Sequence, residues 1–447
     1  MALGDIGAKI DELEVDWSKL LSPSICHVSG DIYAIAYRGP GNDGYLATID
    51  ITSVGQIGAA VIDSWEFDAA DSNYIIITKV SGTTYAIAYQ VADFDGWVVT
   101  LTIANDGTIT KAIIDSLEFD AGQASPFSFL KLAANYFVIA YAGTGSHGWL
   151  ATINIDDAGN IAAAITGSHE FDATLGEEPS LINIAATVYA IAYRGPDNDG
   201  WLKTITISDL GIIGAEIDSL EFDTNHSSWQ PSLVKARGTF YAIAYRGIDD
   251  DGFLAVANIA NDGTIADALV DSYEFDPNSC YWPCCISTGA PYIAVSYRTA
   301  ADAMTVKTFM LDDTGHLNNT TLDTGVFAPD IWDSNKIISI SGNTYAIIYT
   351  KAFEAGHLIT IPIESYWPPQ YILSGTVKQK GSPVQRPVRA YTRSTGVLYS
   401  SGASGADGSF ELEAPDDTTE MFVVAFDDDA GEQYNDLIYG RVKGVHV

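Results

Sequence analysis

Three arginines and three tryptophans are the residues of this chain whose types and positions best suit recognition at a surface. Arg38, Arg194 and Arg246 each close a YAIAY run and stand just ahead of a turn rich in Asp and Asn, such as Asp197-Asn198-Asp199 or Asp249-Asp250-Asp251. A guanidinium is a planar fork that fits carboxylates and lies flat on aromatic rings. Trp229, Trp282 and Trp332, with His226, fall between the recurring runs, in segments that vary. Arg and Trp on loops over a rigid scaffold are the usual make-up of a binding surface. Two roles are open to each set. The arginines recur with the repeat, as structural residues do, and can pair with the acidic turns. The tryptophans do not recur in every unit, which suits ligand anchors, although they can also plug an interior.

Other chemistry is poorly supported. The chain has 58 Asp and Glu residues, so a pair of carboxylates for general acid and base work distinguishes nothing. It contains no GxSxG, HExxH or phosphate-binding loop. NDGT at Asn105 and Asn261 resembles part of a sialidase Asp-box without its closing aromatic. The seven histidines are scattered, with none at metal-ligand spacing. Acidic turns at Asp93–Gly96, Asp197–Gly200 and Asp249–Gly252, and the run Asp427-Asp428-Asp429, offer oxygens to a hard cation. They lack the spacing of a calcium loop and read more simply as hairpin turns. Cys280, Cys284 and Cys285 lack a second ligand pair and a nearby His, so they read as small hydrophobes. The expectation is a protein without catalytic residues, metal or cofactor.

What must position the arginines and tryptophans is a repeat. YAIAY begins at Tyr33, Tyr85, Tyr189 and Tyr241, closely matched by YAIIY at Tyr345, and variants begin at Phe137 and Ile293, so successive starts lie 52 residues apart. An aromatic after Gly keeps the same register at Tyr45, Trp97, Trp149, Trp201 and Phe253, with degenerate copies at Thr305 and His357. The motif IDSxEFD closes units at Ile62–Asp68, Ile114–Asp120 and Ile217–Asp223. Period-two alternation, β-branched and aromatic enrichment and NDG-type turns predict four strands per unit. Four-stranded units repeated around an axis are propeller blades. The opening segment Ile6–Asp16 reads as a fourth strand with no blade before it, and the seventh unit ends at Gly356–Ile363, a third strand with no fourth after it. Each end supplies what the other lacks, which predicts a closed ring of seven blades over residues 1–367.

Bulk properties narrow the partners. A formal net charge of −36 repels phosphate backbones and anionic membranes, so nucleic acid is not expected as a partner. No apolar run of about 18 residues is present to span a bilayer, and the first residues lack the basic start and apolar stretch of a secretory leader.

Beyond Trp367-Pro368-Pro369 the repeat stops. Residues 368–370 form a stiff Pro-rich junction, and Tyr371–Val447 reads as short strands and turns of a small Ig-like or transthyretin-like β-sandwich. The run SGTVKQKGSPVQRPVRAYTRSTGVLYSS, then GADGSFEL, then FVVAFDDDAGEQYNDLIYGRV, resembles a small domain of tailed-phage structural proteins related to the carboxypeptidase regulatory-like sandwiches. The likeness covers most of Leu373–Val442. It implies a non-enzymatic virion component (tail, fibre or decoration protein) made in the host cytoplasm. One domain would dock to other virion proteins in an oligomeric assembly, and the other would bind a host-surface protein or glycan. The propeller units carry neither the GH and WD signatures of WD40 blades nor the double glycine of kelch blades. A propeller lectin for surface glycans, or an enzyme that cleaves polysaccharide, are the alternatives.

Overall fold

The computed structural model describes residues 2–364 except 17, 134, 225–227, 290 and 319. Beyond them it describes 371–379, 382–384, 386–392, 398–405, 407–413, 421–425, 437–442 and 445–446. The chain divides into two compact units, Met1–Ser365 and Tyr366–Val447.

The first unit is a seven-bladed β-propeller, as the repeat predicts. Blade 1 is a meander of Leu21–Ser29, Ile32–Arg38, Gly44–Asp50 and Asp63–Asp68, and blades 2 to 6 repeat it. Each blade's first strand packs against the first strands on either side: Leu21–Ser29, Ser72–Ser81, Ser125–Lys131, Glu177–Ala185, Trp229–Arg237, Tyr281–Gly289 and Ile331–Ser341, then back to Leu21–Ser29. These seven strands surround a central channel. Blade 7 takes its outer strand from the chain's beginning. Asp11–Asp16 pairs antiparallel with Gly356–Pro362, with Leu13 opposite Leu358, and Ile6 bridges Ile363.

The YAIAY alternation explains how blades stack. Tyr85, Ile87 and Tyr89 of blade 2 pack on Ala34 and Ala36 of blade 1. In the same way Tyr189, Ile191 and Tyr193 pack on Val138 and Ala140. Large side chains on one face meet small ones on the next, which lets twisted sheets approach closely without voids. The EFD phenylalanine adds an edge-on ring contact to the next blade's second tyrosine, as in Phe171–Tyr193 with centroids 5.0 Å apart. Glycine before the aromatic of strand three makes room for that phenylalanine. A Cβ at Gly148 would lie 2.3 Å from the Phe171 ring.

Polar residues of the motifs tie neighbouring blades together. The threonine of strand three donates to a glycine carbonyl in the next blade's last turn: Thr48 to Gly107, Thr100 to Gly159, Thr152 to Gly211 and Thr204 to Gly263, each at 2.6 Å. The Asp of IDSxEFD accepts the N–H two residues beyond that glycine, as Asp63 does from Ile109 at 3.0 Å and Asp115 from Ile161 at 2.8 Å. The opening segment reproduces both contacts across the closure. Thr308 donates to the Gly4 carbonyl at 2.6 Å, Asp323 accepts from Ile6 at 2.7 Å, and Asp11 accepts from Ile57 at 2.9 Å. Its likeness to a fourth strand is therefore a likeness of hydrogen bonds as well as of pattern.

The second unit is a small β-sandwich. Tyr371–Thr376 lies between Ser409–Glu413 and Val445–His446, while a second sheet runs Leu398–Ala403, Pro387–Thr392, Met421–Ala425, Leu437–Val442. Leu373, Phe410 and Leu412 of one sheet meet Val388, Ala390 and Val423 of the other in a common core. Among the described residues no helix is long and apolar enough to cross a membrane.

Candidate functional site

The face that carries the joins between strands two and three, and between blades, holds a row of stacked guanidiniums and rings. Each participating arginine is the last residue of its blade's second strand: Ile32–Arg38, Val188–Arg194, Phe240–Arg246 and Tyr292–Arg298. Each pairs in the ladder with the first residue of an inner strand, so Arg194 lies opposite Glu177, Arg246 opposite Trp229 and Arg298 opposite Tyr281. The Arg194 Cζ sits 3.5 Å from the centroid of the Trp229 ring, whose other near cation is Arg246 at 5.1 Å. Arg246 and Arg298 lie 5.1 and 4.4 Å from the Tyr281 ring, and Arg298 is 5.1 Å from Trp282. The row thus runs Arg194, Trp229, Arg246, Tyr281, Arg298, Trp282 across blades 4 to 6. Stacking of this kind holds a guanidinium flat while leaving its N–H edge for a ligand.

The arginines also have acidic or polar neighbours, as their place beside the turns suggests. Arg38 meets Asp71 at 3.3 Å, Arg298 meets Asp302 at 2.8 Å, and Arg194 meets Glu177 and, at 2.8 Å, Asn198. Among the described residues Arg246 pairs with Asp250 alone, at 3.5 Å. The Nε atoms of all four are buried without a hydrogen-bond partner among the described residues. Burial, then the nearby charge of Arg246, brings Arg194 down to about 10.

Inside the row, at the channel mouth, the backbone repeats and the side chains do not. The second residue of four inner strands takes a positive φ, Ser22 at 48°, Glu178 at 54°, Gln230 at 54° and Trp282 at 50°, and so does the third residue of blade 2's, Tyr74 at 51°. For side chains this bulky that conformation is costly, and such strain gathers at functional sites. It is held by a chain of bonds from blade to blade. The Glu178 carboxylate accepts the Gln230 N–H at 2.5 Å, and Gln230 Oε1 accepts the Trp282 N–H at 2.9 Å. Across the ring closure the backbone of Ser22 lies near the Asp333 carboxyl and pulls it down. Burial pushes the Glu178 carboxyl up to about 7, against the pull of the Gln230 N–H and Arg246. Burial also raises Asp333 and Tyr74, and the charges of Glu178 and Asp333 act on Tyr74 as well. Behind the mouth lies a cavity of about 130 Å³ between Pro179, Pro231, Pro283, Ser232, Asn335 and Lys336.

The structure therefore brings Arg194, Arg246, Trp229 and Trp282 into one row, with Arg38 at the same position of blade 1. Trp229 and Trp282 differ from expectation in one respect. They belong to the inner strands rather than to inter-blade loops, as Trp332 does in Ile331–Ser341, because the bulge at each strand's start extends the pairing toward the mouth. Trp332 is 61% exposed and has no ring or cation contact among the described residues. His226 lies outside the described residues, as do Asp427-Asp428-Asp429 and the 368–370 junction. Arg298, Tyr281, Glu178, Gln230, Tyr74 and Asp333 went unselected in the sequence. Arg298 had a signal, since it stands 52 residues after Arg246. The turns at Pro196–Asn198 and Ile248–Asp250 are short 3-10 turns closed by their own backbone, Gly195 N–H to the Asp199 carbonyl at 2.9 Å and Gly247 N–H to the Asp251 carbonyl at 2.8 Å. Among the described residues no three His, Cys, Asp or Glu side chains are grouped to hold a metal ion. Cys280 and Cys285 are buried, and the Cys285 thiol donates to the Ser232 carbonyl at 2.8 Å.

No protein-family model matches this sequence, and no curated protein does. Solved propellers resemble the fold. BP39L lectin from Burkholderia pseudomallei shares 10% identity over 78% of this chain and 97% of its own, with a TM-score of 0.52. The periplasmic gluconolactonase PpgL of Pseudomonas aeruginosa shares 13% identity over 69% of this chain and 85% of its own, with a TM-score of 0.51. One is a lectin and the other an enzyme, and at such identities the likeness extends to the propeller fold alone.

Proposed function

We propose that this chain is a non-enzymatic binding protein that recognises a glycan or protein partner at the channel mouth of its propeller. The stacked row from Arg194 to Trp282 carries the reading, because rigid Arg and Trp anchors around a concavity are what interfaces use for affinity. Two raised carboxyls at one mouth also suit an acid and base pair. Glu178, however, accepts the Gln230 N–H of the next blade and holds that left-handed residue in place, and Asp333 lies beside the Ser22 backbone across the closure. That engagement favours binding over turnover. The virion role of a tailed-phage component rests on the resemblance of the C-terminal module, which would join the propeller to other virion proteins.

A glycan array probed with the full chain, beside an assay for reducing-sugar release from the polysaccharides it binds, tests the reading. Retention without release is expected. Release of sugar that depends on Glu178 would replace the binding protein with an enzyme. Antibody against the propeller should decorate particles of the phage that encodes it, and unlabelled particles would remove the virion role.

A further inference from the structure

We infer that the ligand of this mouth is an acidic saccharide, with its carboxylate on Arg246 and its ring against Trp282. The inference rests on the binding reading above and names the chemistry of its ligand. Arg246 is the guanidinium that the fold leaves unfilled. Its side chain is 16% exposed, and it lies between the Trp229 and Tyr281 rings. It donates no hydrogen bond within the described residues; its one ion pair among them, at 3.5 Å, is to Asp250, itself 49% exposed, and the buried Glu178 carboxyl lies within its field. Arg194, by contrast, has Glu177 and Asn198, and Arg298 has Asp302 at 2.8 Å. A nearly enclosed cation with unfilled N–H groups is an unfavourable arrangement that an arriving oxyanion relieves. A carboxylate matches the fork of a guanidinium in two parallel bonds.

The groups next to Arg246 suit a sugar ring. Gln230 spends its Oε1 on Trp282, which leaves its amide N–H groups for an acceptor. Glu178 spends Oε2 on Gln230, which leaves Oε1 for a hydroxyl. Trp282 supplies a partly exposed aromatic face beside them. An acidic peptide also carries carboxylates, but it lacks an edge to add to. The inner strands are already stapled to one another, with the N–H of Leu181 on Ser128, of Leu233 on Ser180 and of Cys285 on Ser232, each at 3.0 Å. Glu178, Gln230 and Trp282 line one cavity together, so the three groups face the same space.

Calorimetry of the full chain against oligosaccharides bearing uronate or sialate, their carboxyl-reduced forms, and poly-glutamate tests the assignment. At least one acidic saccharide is expected to bind, and its carboxyl-reduced form to bind about ten- to a hundredfold more weakly. Arg246→Gln should lose affinity by a similar factor, while Arg237→Gln, at the far end of the neighbouring inner strand Trp229–Arg237, should bind normally. The reduced sugar tests the same contact with no change in the protein, so a poorly folded variant does not obscure the answer. Equal binding of acidic and reduced forms, or binding indifferent to Arg246→Gln, would overturn the carboxylate while leaving a glycan-binding protein. Binding of poly-glutamate in place of every acidic saccharide would overturn the saccharide. Silence from every saccharide, acidic and neutral, would overturn both this inference and the glycan arm of the proposed function.

Discussion

Replacing Glu178 by Gln should remove a pH dependence that the channel mouth imposes on stability. Burial raises this carboxyl from 4.5 to about 7 in the folded chain, with the Gln230 N–H and Arg246 opposing the rise. Other groups at the mouth are Tyr74 and Asp333, both also raised by burial. Between pH 4.5 and about 7 the folded chain therefore keeps a proton that the unfolded chain releases. The sign follows: this contribution is fully present below pH 4.5, is lost as pH rises through about 7, and is level above that. At about 1.4 kcal/mol per pH unit the full span is about 3 kcal/mol, and partial solvation reduces the expected effect to about 2 kcal/mol. Gln mimics the protonated form and can still accept from Gln230. Wild type and Glu178→Gln should thus be similar by urea unfolding at about pH 5, and the variant should be about 2 kcal/mol more stable at about pH 8. Other carboxylates contribute alike to both proteins and cancel in the difference. A stability difference that is the same at both pH values would refute the argument, because a merely structural contact of Glu178 would not titrate.

Deleting residues 2–16 removes the outer strand of blade 7 and the Asp11–Ile57 bond. Aggregation or a large fall in melting temperature is expected, and a monomer with unchanged melting would refute closure. Thr204→Val removes the buried 2.6 Å bond to Gly263, and blade 5 already has Val256 at the corresponding position. The cost should be about 1–2 kcal/mol by chemical denaturation, and no cost would mean that these ties are incidental. Trp332→Ala should change stability by less than about 0.5 kcal/mol, since that ring is 61% exposed. Trp229→Ala separates two stacked arginines, so it should cost about 1–2 kcal/mol and also weaken ligand binding. Normal binding by a folded Trp229→Ala protein would remove the stacked row from the site.

The ring, the number of its blades and its closure were legible because each is written in local pattern repeated at one interval. Alternation reports which strand faces are buried, and the 52-residue interval reports that the same backbone surroundings return. The unmatched strands at Ile6–Asp16 and Gly356–Ile363 then required each other, since open edges are costly. The alternation of Tyr and Ile with Ala even contained the stacking rule, large face on small face, although only the blades side by side made that visible. The candidate site was half legible. Arg38, Arg194 and Arg246 stood out because they recur, and Arg298 shares their register behind a degenerate YAIAY copy. Trp229, Trp282 and Trp332 look equivalent as letters. All three stand at the start of an inner strand, and tertiary structure separates them: the rings of Trp229 and Trp282 lie against arginines, while that of Trp332 meets solvent. Glu178 and Gln230 carried no motif at all. Their importance comes from a left-handed bulge that turns one variable position of five of the blades into the mouth, and from burial that raises Glu178 and leaves Arg246 with no hydrogen-bond acceptor among the described residues. Those properties belong to the distances between blades. Local pattern cannot encode them, because each depends on residues about 52 positions away being brought within a hydrogen bond of one another.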